Sequence, residues 1–171
     1  MADLDLAALG AVSTVTINGR SPEPPGIRDL AESLMHQHGL NGWTLVFDQA
    51  STRAGECRFC EREISLSAPL MSLWTRAQCE DTIKHEIAHA LTPTDRGHGI
   101  AWQRMCLVIG ADPSRTWGHN GEQRIPGKYL GTCPAGHTIT KHRRPKTENF
   151  GSCRECSPRY DPRYRFTWTE R

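Results

Sequence analysis

The chain has 171 residues, 37% of them hydrophobic and 23% charged, with a formal net charge of +2. That length suits one compact domain and a small appendage. No apolar run approaches the ~20 residues needed to cross a bilayer, and "MADLDLAALGAVSTV" carries Asp3 and Asp5 where a secretory signal would be basic. The expectation is therefore a cytoplasmic protein with no membrane partner. Seven cysteines cannot all pair within one chain. In a reducing compartment they group around metals or lie singly in cores. Charge is unevenly spread: residues 128–171 hold ten Lys/Arg against four Asp/Glu, whereas residues 1–127 hold eleven against fifteen. A basic tail on an acidic body points to a polyanionic partner for the tail, and to nucleoid association if that partner is DNA.

Residues 1–25 end in "NGRSPEPPG" and read as an N-terminal arm or linker. A helix is predicted from Ile27, with Ile27, Leu30, Leu34 and His38 on one face and Gly39 as its stop. "GWTLVFD" (42–48) reads as a strand, and "AGECRFCEREISLS" (54–67) as two more with a turn around Glu61–Glu63. From about Thr75 to Leu91 the chain is helical, with Ile83, Ile87, Ala90 and Leu91 on an apolar side and Pro93 ending it. A further helix covers 99–110 and closes at Gly110. "ADPSRTWGHNGEQRIPG" is a connector. The boundaries that follow are an arm at 1–25, a main domain at 26–112, a connector at 113–127 and a C-terminal module at 128–171.

The chemistry concentrates in "DTIKHEIAHALTPTDRGHGIAW". On a helix, residues four apart share a face, so His85 and His89 can offer two imidazoles to one Zn²⁺. Glu86 follows the first ligand and is placed to take a proton from a zinc-activated water attacking a carbonyl. A third ligand is required. His98 is the leading candidate, since the chain turns after Pro93 and Gly97 and Gly99 flank the histidine. His119, in "TWGHNG", is its rival. A group that stabilises the oxyanion is also required, and Tyr129 and His119 are weak candidates for it. Arg53 and Arg58 are candidates to line the cleft. Cys57 and Cys60 read as strand cysteines, and Cys79 and Cys106 as core thiols.

Further on, Cys133-x3-His137 and Cys153-x2-Cys156 stand fifteen residues apart. Two short-spaced ligand pairs with a hairpin-sized insert describe a zinc ribbon, a closed and therefore structural site. His142 competes with His137 for the fourth position. Lys141, Arg143, Arg144 and Lys146 lie between the pairs, and Arg159, Arg163 and Arg165 lie beyond them among Tyr, Phe and Trp. Cations interleaved with rings suit nucleic acid, charges for phosphates and rings for exposed bases.

"DTIKHEIAHAL…HGIAW" resembles the SprT-like (Spartan-type) zinc metallopeptidases. So does the upstream "GWTLVFDQASTRAGECRF…EISLSAPL", with its Trp-led strand, R-x-G turn and I-x-L-S strand. The resemblance runs from about Ile27 to Gly110 and resumes in the cysteine segment, where relatives often carry a four-cysteine ribbon. It implies an α+β, zincin-like minimal metallopeptidase domain: helices packed on a small antiparallel sheet, followed by a small β zinc ribbon. It also implies that His85, His89 and His98 hold catalytic zinc, with Glu86 the general base. A protein substrate follows, one attached to or near DNA, and two zinc ions, one catalytic and one structural. The step from His89 to His98 is shorter than in several members, so the cleft is expected to be smaller or more open. The alternative function is a non-catalytic zinc-containing nucleic-acid-binding module.

Overall fold

The computed structural model describes residues 21–95, 97–114, 123–146 and 151–171. His119 lies outside the described residues, as do residues 1–20 of the expected arm. The chain forms two compact units, 1–124 and 125–171, and the fold is α+β.

The first unit opens with α1 (Ile27–Gln37). Its buried stripe is Ile27, Ala31, Leu34 and Met35, so Leu30 falls on the flank of the face and Ala31 at its centre. The small side chain lets α1 approach α3 (Arg76–Leu91). Three strands follow: β1 (Thr44–Asp48), β2 (Gly55–Arg58) and β3 (Glu63–Ser67). The expected antiparallel pairing holds for β2 with β3, while β1 runs parallel to β3, so this sheet is mixed in the order β1-β3-β2. The reason lies in the loop 49–54. It passes over the end of β3, where Ser67 N donates to Ala54 O at 2.8 Å, and leaves β3 in the middle.

A central strand covered on both faces should be continuously buried, and Ile64, Ser65, Leu66 and Ser67 are all at 1% exposure or less. The two buried hydroxyls are satisfied, as burial demands: Ser65 Oγ donates to Asp48 Oδ2 at 2.7 Å, and Ser67 Oγ donates to Ala50 O. Ser67 then caps the short α2 (Ala68–Met71), accepting from Leu70 N.

The helix α3 starts with a complete capping box: Thr75 Oγ1 accepts from Gln78 N and the Gln78 side chain accepts from Thr75 N. Cys79, Ile83, Glu86, Ile87 and Ala90 form its buried side, and a glutamate in that row is the anomaly the site explains. Pro93 lies just past its end. The helix α4 (Ile100–Ile109) follows, closed by Gly110 in the left-handed region.

The second unit is an antiparallel sheet in the order β5-β4-β6, from β4 (Tyr129–Thr132), β5 (Thr138–Lys141) and β6 (Thr167–Glu170). Among the described residues its buried core is Cys133, Cys153 and Phe166, with Cys156, Tyr164 and Trp168 packed around them. So small a core does not stabilise a fold of this size unaided.

Among the described residues, no helix is long and apolar enough to cross a membrane.

Candidate metal centres

Helical spacing aims His85 and His89 off one face of α3, and the turn 92–99 brings His98 to meet them. The ligand-capable atoms of all three lie within 4.8 Å of one another. His85 Nε2 and His98 Nε2 are 3.1 Å apart, against about 3.3 Å for two nitrogens on one tetrahedral zinc with bonds of about 2.05 Å. Burial and the neighbouring imidazoles push the pKa of His85 down to about 3, and burial with His98 pushes that of His89 down to about 4. Both rings are therefore neutral, with lone pairs free for a cation.

Trp102, fully buried on α4, forms the floor. Its ring stacks on His89 at 5.2 Å and meets His85 and His98 edge-on at 4.7 and 4.4 Å, and its Nε1 donates to His85 O. The indole leaves the three rings little freedom to turn away.

His98 is held by a device the sequence reading missed. Asp95 accepts from three backbone N–H groups: Gly97 and Gly99 at Oδ1, and Trp102 at Oδ2. These donors, Trp102 foremost, hold its carboxyl below the usual range. A Cβ on Gly99 would come within 2.5 Å of Asp95 Oδ2, so glycine is what lets the carboxylate close the turn. Gln103 Nε2 also donates to His98 O at 3.2 Å. The Asp95→Ala variant is expected to weaken zinc binding at the histidines by ~10–100-fold, the usual cost of losing a group that orients a ligand. Competition against a chromophoric chelator measures this, with Asp95→Asn expected between the two.

Glu86 is only 6% exposed. Burial pushes its pKa up to about 8, against the opposing pull of Arg53 and of the Cys57 backbone N–H. A cleft of about 880 Å³ opens above, lined by His85, Glu86, His89 and His98 together with Arg53 and Cys57 of the sheet side. Arg58, by contrast, pairs with Glu56 and Glu63. Cys57 also lies on β2, as a strand cysteine should, whereas Cys60 falls in the turn that follows. Cys79 and Cys106 are buried thiols of α3 and α4. Tyr129 belongs to the second unit.

In that unit Cys133, His137, Cys153 and Cys156 converge. Cys133 and Cys156 Sγ are 3.9 Å apart, and His137 Nδ1 lies 3.6, 3.5 and 3.3 Å from the three sulfurs of Cys133, Cys153 and Cys156. Tetrahedral zinc with Zn–S of about 2.3 Å and Zn–N of about 2.05 Å gives about 3.8 and 3.5 Å for these separations. The far side of the His137 ring meets Glu155, with Nε2 at 3.6 Å from Oε2. His142 is not part of this cluster. Burial alone would raise the Cys133 thiol, but N–H donors from Ala135 and His137 bring it down to about 7, which favours the thiolate that binds metal. Burial, with the neighbouring thiols of Cys153 and Cys133, pushes Cys156 up to about 12.

The basic residues are less uniform. Arg143, Arg144, Lys146 and Arg159 are exposed. Lys141 Nζ lies over the Trp168 ring at 5.9 Å. Arg163 is engaged by Asp161 at 2.7 Å, and Arg165 donates to Pro162 O.

Residues 28–119, more than half of the chain, match the SprT-like family. The chain belongs to the SprT-like family. Protein SprT of Proteus mirabilis (strain HI4320) is 27% identical over 123 residues, covering 66% of this chain and 73% of the relative. The metallopeptidase zymogen of Methanocaldococcus jannaschii jannalysin aligns over 47% of this chain and 77% of that one, at 15% identity and a TM-score of 0.42. The three histidines, Glu86 and the cleft all fall inside the SprT-like region, and the three histidines are able to hold a metal. The ribbon cluster lies outside it.

Proposed function

We propose that the first unit is a zinc endopeptidase of the HExxH type, with His85, His89 and His98 as zinc ligands and Glu86 as general base. The observation that carries this is a carboxylate buried beside three converging imidazoles, opening onto one cleft. His85, His89 and His98 would hold a zinc ion, which would supply a Lewis acid for the peptide carbonyl and a water with a pKa of about 7. Glu86 takes the proton from the attacking water and delivers it to the leaving amine. The second unit holds a second, structural zinc on Cys133, His137, Cys153 and Cys156, a closed donor set with no position left for substrate.

Metal analysis combined with cleavage of an unfolded protein such as casein tests this reading. Wild-type protein is expected to hold two zinc ions and to cleave, and the His85→Ala/His89→Ala variant to hold one and not cleave. Equal zinc content in the two proteins would sink it.

The substrates we propose are proteins associated with DNA, brought close by the second unit. Its excess of basic residues supports this, with Arg143, Arg144, Lys146 and Arg159 exposed and Tyr160 59% exposed. Binding to single-stranded DNA is expected to weaken linearly in log[salt], and Arg143→Ala/Arg144→Ala to lower the slope by about 1–2. Fluorescence anisotropy across a salt series measures both. A slope unchanged by the substitution would remove these arginines from the interface.

A further inference from the structure

In the first unit, α3 packs across β2, the edge strand of the mixed sheet. In an antiparallel pair, alternate residues turn their backbone groups away from the partner strand. Since Ala54 pairs with Ser67, the alternation turns the backbone groups of Gly55 and Cys57 outward, away from β3. Glu86 occupies that side. The Cys57 N–H faces its carboxylate, and its side chain lies directly over Gly55. A Cβ built on Gly55 would meet Glu86 Cγ at 2.7 Å, Oε1 at 2.7 Å and Cδ at 3.0 Å. Real Cβ contacts essentially never fall below 3.0 Å. The backbone of Gly55 is not in the left-handed region, so no turn requires glycine here. What requires it is the glutamate.

We propose that Gly55 is a positioning residue for Glu86. The bare backbone at Gly55 leaves room for the carboxylate to lie against the strand, facing the Cys57 N–H. The inference rests on the reading of Glu86 as general base. Its stability arm does not depend on any cleavage, so the two can fail separately.

The mechanism for the loss is steric. A methyl at position 55 pushes the Glu86 side chain away from β2 and from the Cys57 N–H, and the carboxylate leaves its place in the cleft. The histidines are untouched. A shift of about 1 Å in a reacting group costs about 100-fold in rate. Gly55→Ala is therefore expected to lower kcat on casein by about 100-fold, with KM and zinc content unchanged. A fold defect unrelated to Glu86 would also move zinc content or KM.

Thermal unfolding supplies the independent readout. Gly55→Ala is expected to lower the midpoint of the first unit by roughly 5 °C through overpacking. In a Glu86→Ala background, where Cγ, Cδ and Oε1 are gone, the same substitution is expected to cost little. If Gly55→Ala alone fails to fold, the double variant should fold. An equal loss of midpoint in both backgrounds, or failure to fold in both, overturns the proposal, and so does full activity in Gly55→Ala. If the wild-type protein cleaves nothing yet the coupling in midpoint appears, the peptidase reading falls and the Gly55–Glu86 contact stands.

Discussion

Glu86→Gln is expected to keep its metal and lose its cleavage. The substitution preserves volume, and it removes only the ability to accept a proton. General-base catalysis contributes roughly 10²–10⁴-fold, so kcat should fall by that factor with little change in KM. Metal content should stay at the wild-type value, because the histidines, Trp102 and Asp95 that shape the site are unaltered. The fold should survive as well. Glu86 is almost fully enclosed, and a neutral amide is easier to bury than a carboxylate that must shed its water. Paired zinc analysis and casein cleavage check this. A Glu86→Gln protein that still cleaves at the wild-type rate would show that the base is another group. Loss of zinc together with cleavage would make Glu86 part of the metal site itself.

The part of the site that the sequence exposes is the part built by local geometry. His85 and His89 sit one helical turn apart, and any α-helix through them aims both at one point. His98 was nearly as accessible, since only a turn separates it from the helix. The parallel pairing of β1 with β3 was not accessible, because it depends on which side of β3 the 49–54 loop crosses. Asp95 had a faint signal in D-x-G-x-G, where a carboxylate precedes two glycines, but its partners are backbone N–H groups that the letters do not show. Gly55 and Glu86 are thirty-one positions apart, and their contact exists only once α3 has packed on β2. The choice between His137 and His142 turned on strand length. His137 lies in the β4–β5 connection beside Cys133, whereas His142 follows four strand residues, a rise of about 13 Å.

The second unit should be held together by its metal. Its buried core of Cys133, Cys153 and Phe166 contains two of the four residues able to hold a metal, so the hydrophobic core and the proposed metal site are largely the same atoms. Structural zinc binding in small modules contributes about 10–16 kcal/mol, comparable with or above the 5–15 kcal/mol that stabilises a whole domain. Cys153→Ser is expected to release one zinc and to abolish the near-ultraviolet dichroism of Tyr164 and Trp168, which pack on that core. The first unit should persist, since its core around Ile64, Leu66, Ile83, Ile87 and Trp102 includes none of these ligands. Chelation should separate the two centres in the wild-type protein. A site of three imidazoles with an open position gives up its ion at lower chelator concentration than a closed site of three thiolates and an imidazole. Two steps are expected, the first ending cleavage and the second unfolding residues 125–171. A Cys153→Ser protein that keeps both zinc ions and the aromatic dichroism would mean the ribbon folds on its side-chain packing alone, with the cysteines incidental to it.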